Sequence, residues 1–92
     1  MMIIDRIKHI FAKEKAMKLE KTVDMMLSDQ YKERFKAEYH QTLYRRNKLQ
    51  AAIKEMKPAD KSLYLYKWQL RVMDDYIYVL KERAKVEKID LK

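Results

Sequence analysis

Ninety-two residues with a formal net charge of +8 make a single small domain, near the lower end of what folds independently. Glycine and cysteine are absent and proline occurs once, which excludes glycine-rich phosphate loops, disulfides and thiolate metal sites. The positive balance asks for an anionic partner, whether nucleic acid, nucleotide or membrane surface. Acids are interleaved throughout: the excess is +2 over residues 1–27, +4 over 28–57 and +2 over 58–92, so no segment is a basic tail. Helix formers dominate and alternating strand patterns are missing, so the expected fold is all-α. No apolar run is long enough to span a bilayer. The opening MMIIDRIKHIF lacks the continuous apolar region and cleavage site of a signal peptide.

Residues 1–27 read as a first amphipathic helix, a segment distinct from a core domain over 28–92. Ile3, Ile7 and Ile10 share one face, and Ala12, Ala16, Leu19, Val23 and Met26 continue at helical spacing. Met25 and Met26 offer a second translation start, which would make this helix an addition to a smaller hairpin. Ser28 and Asp29 are good caps for a second helix from about Gln30 to Met56, with Tyr31, Phe35, Thr42, Leu49, Ile53 and Met56 on its inner face and Tyr39 and Leu43 at the edge. Pro58 ends it, and the short Lys57–Asp60 connection makes the next helix antiparallel.

That third helix, Leu63 to Glu87, carries two apolar rows. Leu63, Tyr66, Leu70, Met73, Ile77, Leu80 and Ala84 form one; Leu65, Trp68, Val72, Tyr76, Val79 and Val86 form the other. Together they cover roughly 200° of the wheel, about twice what one partner needs. Such a helix expects several neighbours, some from other copies, so the hairpin should assemble as a homo-oligomeric bundle, a dimer or tetramer by two-fold symmetry. The last residues, Val86 to Lys92, read as a fraying or docked tail.

No nucleophile and base stand together. His9 and His40 fall on different helices outside any metal-ligand spacing, and the adjacent Asp74 and Asp75 point ~100° apart on a helix, with Asp74 on the polar arc near Lys67, Arg71 and Lys81. The reading is not of an enzyme, and no cofactor is expected. Arg46 and Arg83 fall on apolar faces, where an isolated charge costs several kcal/mol unless paired. Either each meets an acid (Glu38, Glu87 or one of a neighbouring subunit), or the two clasp an anionic ligand between subunits. Tyrosines and Trp68 lie beside Arg45, Arg46, Lys48, Arg71, Lys81 and Arg83. Rings that stack on bases beside cations that hold phosphates grip nucleotides, although tyrosine at helical spacing also serves a core or interface.

The segments EYHQTLYRRNKL (Glu38–Leu49) and YKWQLRVMDDYIYVLKERAKVEKIDL (Tyr66–Leu91) resemble a family of small hairpin proteins of phages, relatives of a protein of a crAss-like phage. Glu38-Tyr39, Arg46 and Leu49 match in the first helix, and Gln69-Leu70, Met73, Tyr76, Leu80, Arg83-Ala84, Glu87, Ile89 and Leu91 in the second. Lys88 stands where a glycine is common, and Lys57 to Lys61 replaces a longer, proline-containing loop. Some members of such families resemble anti-CBASS sponges, helical oligomers that sequester the cyclic dinucleotides bacteria use as immune signals.

The resemblance implies a protein of the infected bacterial cytoplasm that binds a cyclic dinucleotide such as 3′,3′-cyclic GMP–AMP and leaves it uncleaved. Arg46 and Arg83 would hold phosphates, Tyr39, Tyr76 and Trp68 would stack on bases, and Lys48 and Gln69 would stand beside them. Two alternatives compete. One is a phage module that inhibits a host protein through the apolar face of the third helix. The other is non-specific nucleic-acid binding through the +8 charge, which salt would weaken steeply.

Overall fold

The structure, a computed structural model, describes residues 15–92. The described residues form three helices, α1 (Leu19–Met26), α2 (Tyr31–Glu55) and α3 (Leu63–Glu87), with no strand among them. The row Ile3, Ile7, Ile10 and Ala12, and the start of the expected first helix, lie outside the described residues. Within them that helix is shorter than expected. Residues 15–18 are non-helical, because Lys18 is extended at φ −61°, ψ 141° and the Met17 N–H donates to His40 Nδ1 instead of a helical carbonyl (3.2 Å).

α2 is the central layer: α1 and α3 both pack on it and not on each other. α1 presents Thr22, fully buried, while Val23 is half exposed, against the apolar row expected from sequence. The Thr22 hydroxyl donates to the Leu19 carbonyl (2.7 Å) and accepts from Gln41 Nε2 of α2 (3.0 Å), so its burial leaves no polar atom unmatched.

The apolar core sits at one end of the hairpin. Phe35, Tyr39 and Leu43 of α2 meet Ile77, Leu80 and Ala84 of α3, with Ile89 closing the cluster and Ala16 and Leu91 packed on it. At the other end Leu49, Ile53, Leu63 and Leu70 are only half buried, since just two helices meet there.

The turn after α2 contains Pro58, as expected, and Asp60 Oδ1 accepts from both the N–H and the hydroxyl of Ser62. Ser62 occupies the cap position of α3 but makes no side-chain cap bond, its hydroxyl being spent on Asp60. At the start of α2 the cap is Gln30 rather than Ser28 or Asp29. Ser28 Oγ accepts the Gln30 N–H one step earlier (3.0 Å).

The tail docks. Lys88 turns left-handed at φ 57°, ψ 50°, the Ile89 N–H returns to the Ala84 carbonyl (2.8 Å) and the Lys88 N–H to that of Lys85 (3.4 Å). This closes the helix with the paired bonds of a left-handed C-terminal cap and drops Ile89 onto the core. A side chain at that conformation costs about 1 kcal/mol relative to glycine. Lys88→Gly should therefore raise the unfolding free energy by roughly 1 kcal/mol in urea titration; a neutral or destabilising result would contradict the strain.

Candidate functional site

The residues expected to bind ligand do not converge in one chain. Arg46 is buried, 6% exposed, and its Nε donates to Asp74 Oδ1 at 2.6 Å. Nη1 donates to Asn47 Oδ1 (3.2 Å) and Gln50 Oε1 (3.0 Å), and Nη2 is buried with no partner among the described residues. The acid is Asp74, not Glu38 or Glu87, and Asp74 itself lies inside the hairpin instead of on the polar arc. At helical spacing Asp74 follows Leu70 and precedes Ile77, on the side of α3 that meets α2. Burial pushes the Asp74 carboxyl above its ordinary range, and the Arg46 guanidinium offsets that only partly.

Arg83 is paired where the first alternative placed it. Its Nε donates to Glu87 Oε2 at 3.1 Å, with both side chains partly exposed. Nη2 donates to the Tyr31 hydroxyl (2.9 Å), which donates in turn to Glu87 Oε1 (2.6 Å), and the guanidinium lies 4.9 Å from the Phe35 ring centre. The Tyr31 bond, and then Arg83, hold Glu87 below the usual carboxylate range, and the same bond raises Tyr31. A lowered carboxylate stabilises the fold above its unfolded range, so this contact weakens as acid protonates Glu87.

Tyr76 donates to Glu38 Oε2 (3.1 Å) and is 42% exposed. Trp68 and Gln69 are exposed two turns earlier on α3, and Lys48 is exposed on α2 with its ammonium 5.6 Å from the Tyr44 ring centre. Trp68 and Arg83 are 15 positions apart, roughly 22 Å along the axis. Tyr39 is a core residue, 3% exposed, edge-on to the His40 ring at 5.0 Å.

Tyr39 and His40 also line an open cavity of about 500 Å³ that the sequence did not suggest. Its apolar wall includes Ala84, Ile89 and Leu91, and its rim carries Lys15, Lys81, Lys85 and Lys92 against one acid, Asp90. The lysines come from three separate segments, so no spacing announces them. Both His40 ring nitrogens face backbone: Nδ1 accepts from Met17 and Nε2 donates to the Leu91 carbonyl (2.5 Å). That pattern selects the neutral Nε2–H tautomer and ties the entry segment and the tail together across the cavity.

Among the described residues no three His, Asp or Glu side chains are grouped to hold a metal, and no helix is long and apolar enough to cross a membrane. A protein-family model described as Sequestin matches residues 29–86, from the start of the hairpin nearly to the end of α3. No curated protein and no solved structure matches the chain.

Removing one member of the buried pair should cost far more than removing both. Asp74→Ala is expected to lose about 3 kcal/mol of stability by leaving Arg46 buried and uncompensated, whereas Arg46→Met with Asp74→Leu should return to within about 1 kcal/mol of the parent. Urea unfolding of both variants checks this.

Proposed function

Because this chain belongs to the Sequestin family, whose model spans most of it, we propose that it binds and holds a cyclic dinucleotide of bacterial anti-phage defence, such as 3′,3′-cyclic GMP–AMP, without cleaving it. It would do so as a homo-oligomer in the cytoplasm of the infected cell. The observation that carries this reading is the cavity rimmed by Lys15, Lys81, Lys85 and Lys92. A cyclic dinucleotide brings two phosphodiester charges and two flat bases. Four ammonium groups against Asp90 and the Glu82 carboxylate paired with Lys85 leave a positive field for the first. The wall of Tyr39, Ala84, Ile89 and Leu91 supplies apolar surface for the second.

Each alternative cluster sets one arginine against one acid, whereas the rim gathers four lysines against Asp90 and the Glu82 that pairs with Lys85 (2.9 Å). Arg46 is already neutralised by Asp74, and Arg83 by Glu87. Cleaving a phosphodiester needs an activated nucleophile, and His40, the cavity's imidazole, spends both nitrogens on backbone groups. Holding the ligand is enough for sequestration. The protein has only to bind more tightly than the host receptor and be present in excess.

Titration calorimetry with a panel of cyclic di- and trinucleotides tests the reading. We expect one nucleotide class to bind, and Lys81→Gln with Lys85→Gln to weaken it at least tenfold with helix content unchanged by circular dichroism. Lys61→Gln with Lys67→Gln, away from the cavity, should leave it within about twofold, and the nucleotide should be recovered intact after denaturation. Indifference to every nucleotide, or equal loss in both double variants, would overturn the proposal.

A further inference from the structure

On α3 the second apolar row lies on the side of the helix away from α2. Its six large apolar side chains, from Leu65 to Val86, are each between 42% and 82% exposed, while Ile77, Leu80 and Ala84 on the other side are buried. The row can be matched against itself about one point, as a contact between two copies requires. Reflect it about the point between Asp75 and Tyr76, and Leu65 falls opposite Val86, Trp68 opposite Arg83, and Val72 opposite Val79. Apolar meets apolar in the first and last of these pairs, Trp68 meets the guanidinium of Arg83, and Tyr76 falls opposite Asp75. An isologous two-fold contact demands this matching, because residue i must suit residue j and j must suit i.

We propose that α3 pairs antiparallel with α3 of a second copy along this row, the two-fold axis passing beside Tyr76, with Trp68 of each copy seated against Arg83 of the partner subunit. Three further observations fit that register. The row contains a shallow, mostly apolar depression of about 290 Å³ lined by Val79, Glu82, Arg83 and Val86 together with Tyr78 and Glu87. Val79, Glu82, Arg83 and Val86 are the i, i+3, i+4, i+7 set that forms a hole for a facing knob. In the antiparallel register the knob is the partner's Trp68, at 62% the most exposed aromatic of the row, and its ring can lie on the guanidinium as a cation–π pair.

Charge selects the direction. Arg71 and Glu82 lie on the same flank of the row, one toward each end. Antiparallel pairing brings Arg71 of one copy toward the partner's Glu82, whereas parallel pairing turns these flanks apart and sets Arg83 near Arg83 at the seam. Complete burial of the row would remove at most about 700 Å² per copy, just under the roughly 800 Å² per partner of a standard stable interface.

The chain contains no cysteine, so introduced thiols report the register directly. Val72→Cys and Val79→Cys variants, one of them tagged, are oxidised alone and mixed. The proposal expects the mixed covalent dimer in the mixture and little dimer from either variant alone. Dimer from Val72→Cys alone as efficiently as from the mixture would show parallel pairing and overturn it. So would a monomeric mass at all concentrations in sedimentation, as when residues of the chain's own N-terminal row (Ile3, Ile7, Ile10) cover the face.

Trp68 is the sole tryptophan, and its emission should shift to the blue as concentration rises. Val79→Asp should abolish that shift while retaining helix content; a shift that persists in this variant counts against the seam. The proposal gives the oligomer of the sequestration reading its geometry. Because every one of these measurements is made without nucleotide, a failed seam leaves cavity binding standing, and failed binding leaves the seam standing.

Discussion

A 25-residue helix that packs against a single neighbour buries only the stripe that faces it, and among the described helices α3 packs against α2 alone. Its remaining circumference has to be polar or covered by something other than a described helix. The stretch from Leu65 to Val86 is not polar. The chain is too short to wrap a third described helix around this side, since α1 lies against α2. The same constraint explains why the core gathers where Ile89, Leu91 and Ala16 add a further layer to the hairpin. Two helices by themselves make an open interface; three segments make a closed one.

Within that thin hairpin the Arg46–Asp74 pair acts differently from the apolar contacts. Its net contribution to stability is small, because burial of both charges opposes their attraction, and the raised Asp74 carboxyl records that opposition. What the pair does supply is register. Sliding α3 along α2 by one turn would strand a guanidinium and a carboxylate in a nearly dry interface, a penalty that leucine against leucine does not impose. In a hairpin whose open end has only half-buried Leu49, Ile53, Leu63 and Leu70, a polar lock near the middle keeps the two 25-residue helices aligned.

The helical hairpin was legible in the sequence because its signals are local and periodic: Pro58, the absent glycines and the two rows of α3. What escaped was set by distant partners. Thr22 is read as polar until Gln41 is placed opposite it. Asp74 looks like part of a solvated arc because Lys67, Arg71 and Lys81 lie near it at helical spacing, and only the approach of Arg46 on another helix turns it inward. The left-handed Lys88 was visible only as a departure from a glycine in the resembled family. Of the expected ligand residues, Tyr39 lines the lysine-rimmed cavity, whereas Arg46 is locked in the core and Trp68, Tyr76 and Arg83 lie on the exposed row of α3.

The positions of those two surfaces on α3 bear on how a sequestering protein could work. Lys81 and Lys85 project from the side of α3 that, with Ala84, borders the cavity. The row containing Val72 and Val79 lies more than a third of a turn away around the same helix. A pair formed through that row leaves the cavity of each copy open to solvent, so assembly and ligand capture do not compete for the same residues. Under that proposal capacity would scale with chain number, one ligand per copy rather than one per interface. Pairing also closes the exposed apolar row that would otherwise make an abundant small protein prone to aggregate. Abundance is what titrating a signal requires. On the proposed reading Trp68, Tyr76 and Arg83 would keep the protein soluble at sequestering concentrations, and the lysines of the opposite face would do the capturing.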